Sequence, residues 1–149
     1  MTTAHLSVSV LVSAPVQEVW DATTDWERQS AWMLGTRVRG TVHGGHGVGG
    51  GIEAWTGVGP IGFLDTMVIT AWEPPHRCLV EHTGRLLKGS GAFEVADTGS
   101  GVSRLTWTED IELPLGVLGR LGWPLVRPIV RLGIAHSLSK LSAAVSHRD

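Results

Sequence analysis

The 149-residue chain has a single cysteine, Cys78, and neither tyrosine nor asparagine. One thiol excludes an intrachain disulfide and any zinc site built on paired cysteines. Charge is also scarce, at 17% of residues with a formal net value of −2. With no basic stretch to track phosphates, nucleic acid is not expected as a partner. The opening residues, Met1-Thr2-Thr3-Ala4-His5, lack the basic head and apolar core of a signal peptide. No apolar run reaches the ~18 residues a membrane span requires, and the richest is broken by Arg120, Arg127 and Arg131. A cytoplasmic location without stable membrane insertion is the resulting expectation. Arginine far outnumbers lysine, a bias typical of GC-rich bacterial genomes.

What remains is a chain built to fold. Hydrophobic residues make up 42% of it. A chain of this size buries about two thirds of its extended surface without help from staples. Residues 1–149 are therefore read as one globular domain, acting as a monomer or homodimer.

Residues 5–13 alternate, with Leu6, Val8, Val10 and Val12 on one face, so a half-buried strand is expected there. Pro15 suits a first helical turn, and Val16, Val19, Trp20 and Thr23 follow at helical spacing. Asp25 can cap a second short helix carrying Trp26, Trp32 and Met33, with Gly35 to end it. Strands are predicted at 36–42, 51–56, 61–72, 77–84, 87–96 and 102–112, as far as Pro114. The remainder turns helical, with an apolar stripe of Val126, Val130, Ile134, Leu138, Leu141 and Val145. Pro124 and Pro128 set the start of that helix or kink it. The order β-α-α-β6-α specifies an α+β fold, a curved seven-stranded antiparallel sheet whose helices gather on one face.

Particular stretches resemble a known superfamily. Ala14-Pro15-Val16-Gln17-Glu18-Val19-Trp20 with Thr24-Asp25-Trp26-Glu27 resembles the N-terminal signature of START-like (SRPBCC) proteins. Ala71-Trp72-Glu73-Pro74-Pro75-His76-Arg77 resembles their strand-turn-strand motif, and Ser103-Arg104-Leu105-Thr106-Trp107 their last strand. Within that superfamily the chain is most similar to the polyketide cyclase/dehydrase and lipid transport family. The resemblance implies a helix-grip fold, a sheet wrapped around a long C-terminal helix with a cavity between them. It also implies either carriage of a hydrophobic molecule or cyclase-type catalysis.

Several motifs that invite a chemical reading fail on context. Gly45-His46-Gly47-Val48-Gly49-Gly50 and Gly57-Val58-Gly59-Pro60-Ile61-Gly62 both match GxGxxG, but neither opens a helix, so no dinucleotide cofactor is expected. The two stretches are read as a flexible hairpin loop and a bulge, and the glycines of 44–51 resemble in position the glycine-rich loop at the cavity mouth of some helix-grip proteins, which implies a mobile entrance. His43 and His46 have no third ligand nearby in sequence, so no metal is expected. Cys78 and His82 on one strand stand about 13 Å apart and cannot form a catalytic pair.

The informative residues are those on the concave face. Strand 61–72 is fairly apolar on both faces, and the face carrying Phe63, Asp65, Met67 and Ile69 is favoured as the inward one; alternation on the next strand adds Cys78, Val80, His82 and Gly84. Leu87, Gly89, Gly91, Phe93 and Val95 follow, and then Leu105, Trp107, Glu109 and Ile111. With Ala96 opposite Val102, Gly89 pairs with Glu109 and Gly91 with Trp107. His82 and Glu109 then meet across the bare Gly89, with Asp65 near His82. Val130 and Ile134 close the cavity from the helix. Trp107 is the aromatic side chain best placed to touch a ligand, and Trp55 and Trp123 can border the entrance.

Three readings follow. The first is a binding protein for a hydrophobic small molecule, a lipid or polyketide-like compound. The second is a cyclase or dehydratase using His82 with Glu109 or Asp65 for proton transfer. The third is an interaction module with a filled core and an apolar patch at 113–125. Arg120, Arg127 and Arg131 share one helical face, which fits either an anionic membrane or plain solvent.

Overall fold

The structure is a computed structural model that describes residues 3–113 and 116–147. Pro114, expected to end the strand region, lies outside the described residues. The strands are β1 (Thr3–Val12), β2 (Thr36–Gly40), β3 (Gly51–Val58), β4 (Ile61–Glu73), β5 (Arg77–Thr83), β6 (Lys88–Gly99) and β7 (Val102–Glu112). The α-helices are α1 (Val16–Thr23) and α2 (Val117–Val145). All seven strands form one antiparallel sheet in the order β1-β7-β6-β5-β4-β3-β2. It curls around α2, as the helix-grip expectation requires.

Alternation alone determines which side chains enter the interior. Leu6, Val38, Ile52, Ile69, Cys78, Val80, Val95 and Leu105 are buried on the concave face. On α1, Val19, Trp20 and Thr23 turn inward. The Trp20 and Trp72 rings meet edge-on with centroids 5.1 Å apart, and His46 meets Trp72 at 5.5 Å. Trp72 stands near the end of β4, within the strand expected at 61–72. A register irregularity between Ile69 and Ala71 rotates it toward the core.

Several expectations need correction. The second short helix is a 3-10 segment, Trp26–Ala31, and Asp25 does not cap it. The Asp25 carboxylate pairs with Arg28 at 3.3 Å instead. β2 stops at Gly40, and Val42–Gly45 forms a turn. The glycine loop is tethered rather than free. Gly45 accepts the Trp26 indole N–H at 2.6 Å, and Ile69 exchanges hydrogen bonds with Gly49 and Gly50 at 2.9 and 2.8 Å.

The β6–β7 register also differs. β6 continues to Gly99, and the chain reverses at Ser100-Gly101, both with positive φ (55° and 75°). Two consecutive left-handed residues are the requirement of a tight primed hairpin turn. Gly99 pairs with Val102, and after an irregularity between Asp97 and Gly99 the register runs Asp97 opposite Ser103, Phe93 opposite Trp107, Gly91 opposite Glu109 and Gly89 opposite Ile111. A shift of two residues leaves every side chain on its expected face but changes its neighbour. Gly89 drops out of the cavity wall altogether. Its φ is 122°, and a Cβ there would lie 2.1 Å from the Asp110 carbonyl oxygen.

Helix α2 passes through both Pro124 and Pro128. Its second half is anchored. Leu138 and Leu141 are buried, Ser142 donates to the Leu11 carbonyl at 2.7 Å, and Ser137 accepts the Leu34 N–H at 3.0 Å. Its first half bears Leu118, Leu121, Leu125, Ile129 and Leu132 on the outside, all exposed. Val126, expected in the buried stripe, is exposed as well. Arg131 reaches back to the Ser7 carbonyl at 3.1 Å.

The two glycines of β6 predict opposite responses. Gly89→Ala forces a Cβ onto backbone at a conformation L residues avoid, and should cost upward of roughly 1–3 kcal/mol. Gly91→Ala meets only the flexible Glu109 carboxylate, at 2.9 Å, and should cost less. Chemical denaturation of both variants checks this, and a larger loss for Gly91→Ala would contradict it.

Candidate functional site

Between the concave face and α2 lies a cavity of about 480 Å³, within the range of roughly 300–1,000 Å³ usual for small-molecule sites. Phe63, Met67, Phe93 and Trp107 line it from the sheet, and Trp123, Val130 and Ile134 from α2. Of the residues expected on the concave face, Phe63, Asp65, Met67, Cys78, Val80, His82, Leu87, Gly91, Phe93, Trp107, Glu109 and Ile111 border the cavity, and Ile69, Gly84, Gly89, Val95 and Leu105 do not. Trp55 is absent from the wall; its ring carries the Arg37 guanidinium at 5.2 Å. Trp107 stands against Phe93, centroids 5.3 Å apart, and not opposite a glycine. Trp26 and Gln29 of the 3-10 segment also reach the cavity. Sequence reasoning missed them, although their spacing of three puts them on one face of such a helix.

The polar content of the wall converges on one place. His82 of β5 is 5% exposed. Its Nδ1–H donates to Asp65 Oδ1 of β4 and its Nε2–H to Glu109 Oε2 of β7, both at 2.8 Å. The Trp107 indole N–H donates to Glu109 Oε1, also at 2.8 Å. Glu109 must span β6 to reach His82, and Gly91 makes this possible. The Glu109 carboxylate occupies the space where a Gly91 side chain would stand.

Both imidazole nitrogens face carboxylate oxygens, so both carry protons and the ring is an imidazolium. Burial opposes that charge and would lower the pKa. The hydrogen bonds from Asp65 and Glu109, together with their negative charge, outweigh burial and raise it from 6.5 to about 10. Nearby, burial pushes the Cys78 thiol up to about 12, which leaves it an inert apolar filler. No group of three or more metal-ligating side chains occurs among the described residues. No described helix is long and apolar enough to cross a membrane.

The His82 shift implies a definite pH dependence. Its folded pKa lies above the ordinary value, so its contribution to stability is complete below pH 6.5 and fades as pH rises toward 10. The Cys78 thiol adds its own loss only above about pH 9. The melting temperature should fall between pH 6.5 and 9, and His82→Gln should flatten that slope. Melting curves at fixed ionic strength across this window test the expectation, and an unchanged slope in the variant would refute it.

With the geometry established, comparison places it among known proteins. The family described as polyketide cyclase / dehydrase and lipid transport matches residues 3–146. The fold is shared with a protein from Thermus thermophilus (TM-score 0.77, 15% identity, covering 95% of this chain and 97% of that one). It is also shared with the Zhui aromatase/cyclase from Streptomyces sp. R1128 (TM-score 0.77, 15% identity, 97% and 94% covered). A START superfamily protein from Mycobacterium smegmatis aligns with TM-score 0.74 at 15% identity, covering 95% and 96%. No curated protein matches the chain. At such identities the structural likeness is one of fold.

Proposed function

Because the chain belongs to the polyketide cyclase/dehydrase and lipid transport family, we propose that it binds a hydrophobic small molecule, a lipid or polyketide-like compound, between the sheet and α2. The observation that carries this reading is the cavity itself, with apolar walls and polar groups gathered at one point. Phe63, Met67, Phe93, Trp107, Val130 and Ile134 supply its apolar contacts, and Asp65, His82 and Glu109 its polar end. Gly91 is the residue whose missing side chain gives that end its shape. An interaction module would need a filled core, and the open cavity removes that support.

The second reading, a cyclase or dehydratase, draws on the convergence of His82 with Asp65 and Glu109 at 2.8 Å on the cavity wall. Such chemistry needs a group able to accept a proton and a donor for the developing enolate oxygen. His82 is already protonated, and both of its N–H groups are committed to carboxylates. It offers neither function without first releasing a partner; Asp65 Oδ2 is left as an acceptor on the wall, but the cluster holds no uncommitted donor beside it, so binding is the better supported of the two. Turnover of a poly-β-ketone thioester that disappears in His82→Gln would reverse that order.

Gly133 provides the direct test. It lies on α2 at the cavity, and an added Cβ would meet only Leu34 Cδ2, at 3.9 Å. Gly133→Phe fills the cavity from the helix, and replacing a helical glycine offsets part of any packing strain. The variant should retain its melting temperature within a few degrees and lose at least about tenfold in affinity for the neutral apolar dye N-phenyl-1-naphthylamine. Fluorescence titration reads the outcome. Unchanged affinity in a folded variant would place the dye elsewhere and defeat the proposal.

A further inference from the structure

The electrical character of the cavity wall restricts what can bind there. Nearly all of its side-chain donors are consumed within the protein. Gln29 donates to the Thr23 carbonyl at 2.6 Å, Trp26 to Gly45 at 2.6 Å and Ser137 to Gly133 at 2.9 Å. Thr36 donates to the Leu34 carbonyl at 3.0 Å, leaving Thr56 to donate to Thr36 at 3.1 Å. Trp107 and His82 spend theirs on Glu109 and Asp65. Among the described residues of the wall, the Trp123 indole on the α2 side and the second N–H of the Gln29 amide are the side-chain N–H groups without a protein acceptor, and neither belongs to the Asp65–His82–Glu109 cluster.

Acceptors are in surplus. Two carboxylates face one imidazolium, so the cluster carries a formal charge of −1. Both Glu109 oxygens and Asp65 Oδ1 have protein donors. Asp65 Oδ2 has none among the described residues, although Asp65 lines the cavity and is only 8% exposed. That oxygen opens onto the cavity, so its donor must come from whatever fills the cavity, water or ligand.

We propose that the ligand of this cavity pairs an apolar body with a hydrogen-bond donor, a hydroxyl or a protonated amine, seated on Asp65, and that molecules ending in a carboxylate are rejected. This rests on the reading of the cavity as a binding site. A hydroxyl completes the Asp65 shell, and an ammonium also brings the cluster to neutrality. A ligand carboxylate would be buried beside a like charge with no donor to receive it. The sheet thus selects by head group, while the apolar walls accept bodies of varied shape.

The test uses four probes on one scaffold: naphthalene, 2-naphthol, 2-(aminomethyl)naphthalene and 2-naphthoate, titrated calorimetrically at pH 7. The amine and the naphthol should each bind at least about tenfold tighter than the naphthoate, the scale set by a buried unpaired group. In Asp65→Asn, the ratio of amine to naphthalene affinity should fall at least about fivefold. Glu109→Gln, which also removes the excess charge, provides the same comparison if Asp65→Asn does not fold. Naphthalene binding with no preference among head groups, or with naphthoate preferred, overturns the inference and leaves the cavity a binding site. Failure of all four probes to bind the wild-type protein overturns the binding reading itself.

Discussion

The concave wall depends on one charge-assisted chain, Asp65–His82–Glu109. Neither carboxylate would be tolerated alone among Phe63, Met67 and Phe93, because an unpaired ion there is desolvated without compensation. The imidazolium reconciles them, and it exists only because both are present. The chain also joins β4, β5 and β7, and it crosses β6 without bonding to it. Gly91 permits that crossing. The need for glycine at Gly91 is therefore set by a side chain two strands from His82, whereas at Gly89 it is set by local backbone geometry.

Much of this was legible in the sequence. Alternation assigned His82 and Glu109 to one face, an assignment that depends only on parity, whereas Asp65 lay on a strand apolar on both faces and its inward side was a preference. The identity of the bare residue beneath them was not legible, because it depends on where the β6–β7 hairpin turns. Asp97-Thr98-Gly99-Ser100-Gly101 offers several turns. Ser100 adopting φ 55° beside Gly101 selects the tight one, which alone would move the register by three; the irregularity between Asp97 and Gly99 takes one residue back, and the net shift is two. Faces survive an even shift and neighbours do not, which is why Glu109 was foreseen and Gly91 was confused with Gly89. The inward turn of Trp72 was not legible for a related reason, since the irregularity after Ile69 reverses the alternation beyond it. The 3-10 segment gave no periodicity long enough to identify Gln29 as a wall residue.

Sheet and helix contribute differently to the cavity. The sheet supplies the polarity, held rigidly because each member of the cluster stands on a strand paired on both sides. The helix supplies mainly aliphatic surface through Val130 and Ile134, and its second half carries the anchoring hydrogen bonds. Recognition of a head group is thereby separated from accommodation of a body. One fold can then serve proteins with unrelated ligands by changing a few strand residues.

The strand order sets a schedule for assembly. β1 is made first, yet its only sheet partner is β7, and Val8 waits for Trp107 some hundred residues later. Closing so long a loop carries an entropic cost before any contact repays it. The hairpins from β2 to β7 can form as they are synthesised, each with a near neighbour. Until β7 is complete, Leu6, Val8 and Val12 have no strand beside them and β6 is an open edge. During synthesis the nascent chain therefore presents an apolar β1 that is prone to pair with other chains. Its capture by β7 is the step that converts a growing meander into a closed grip.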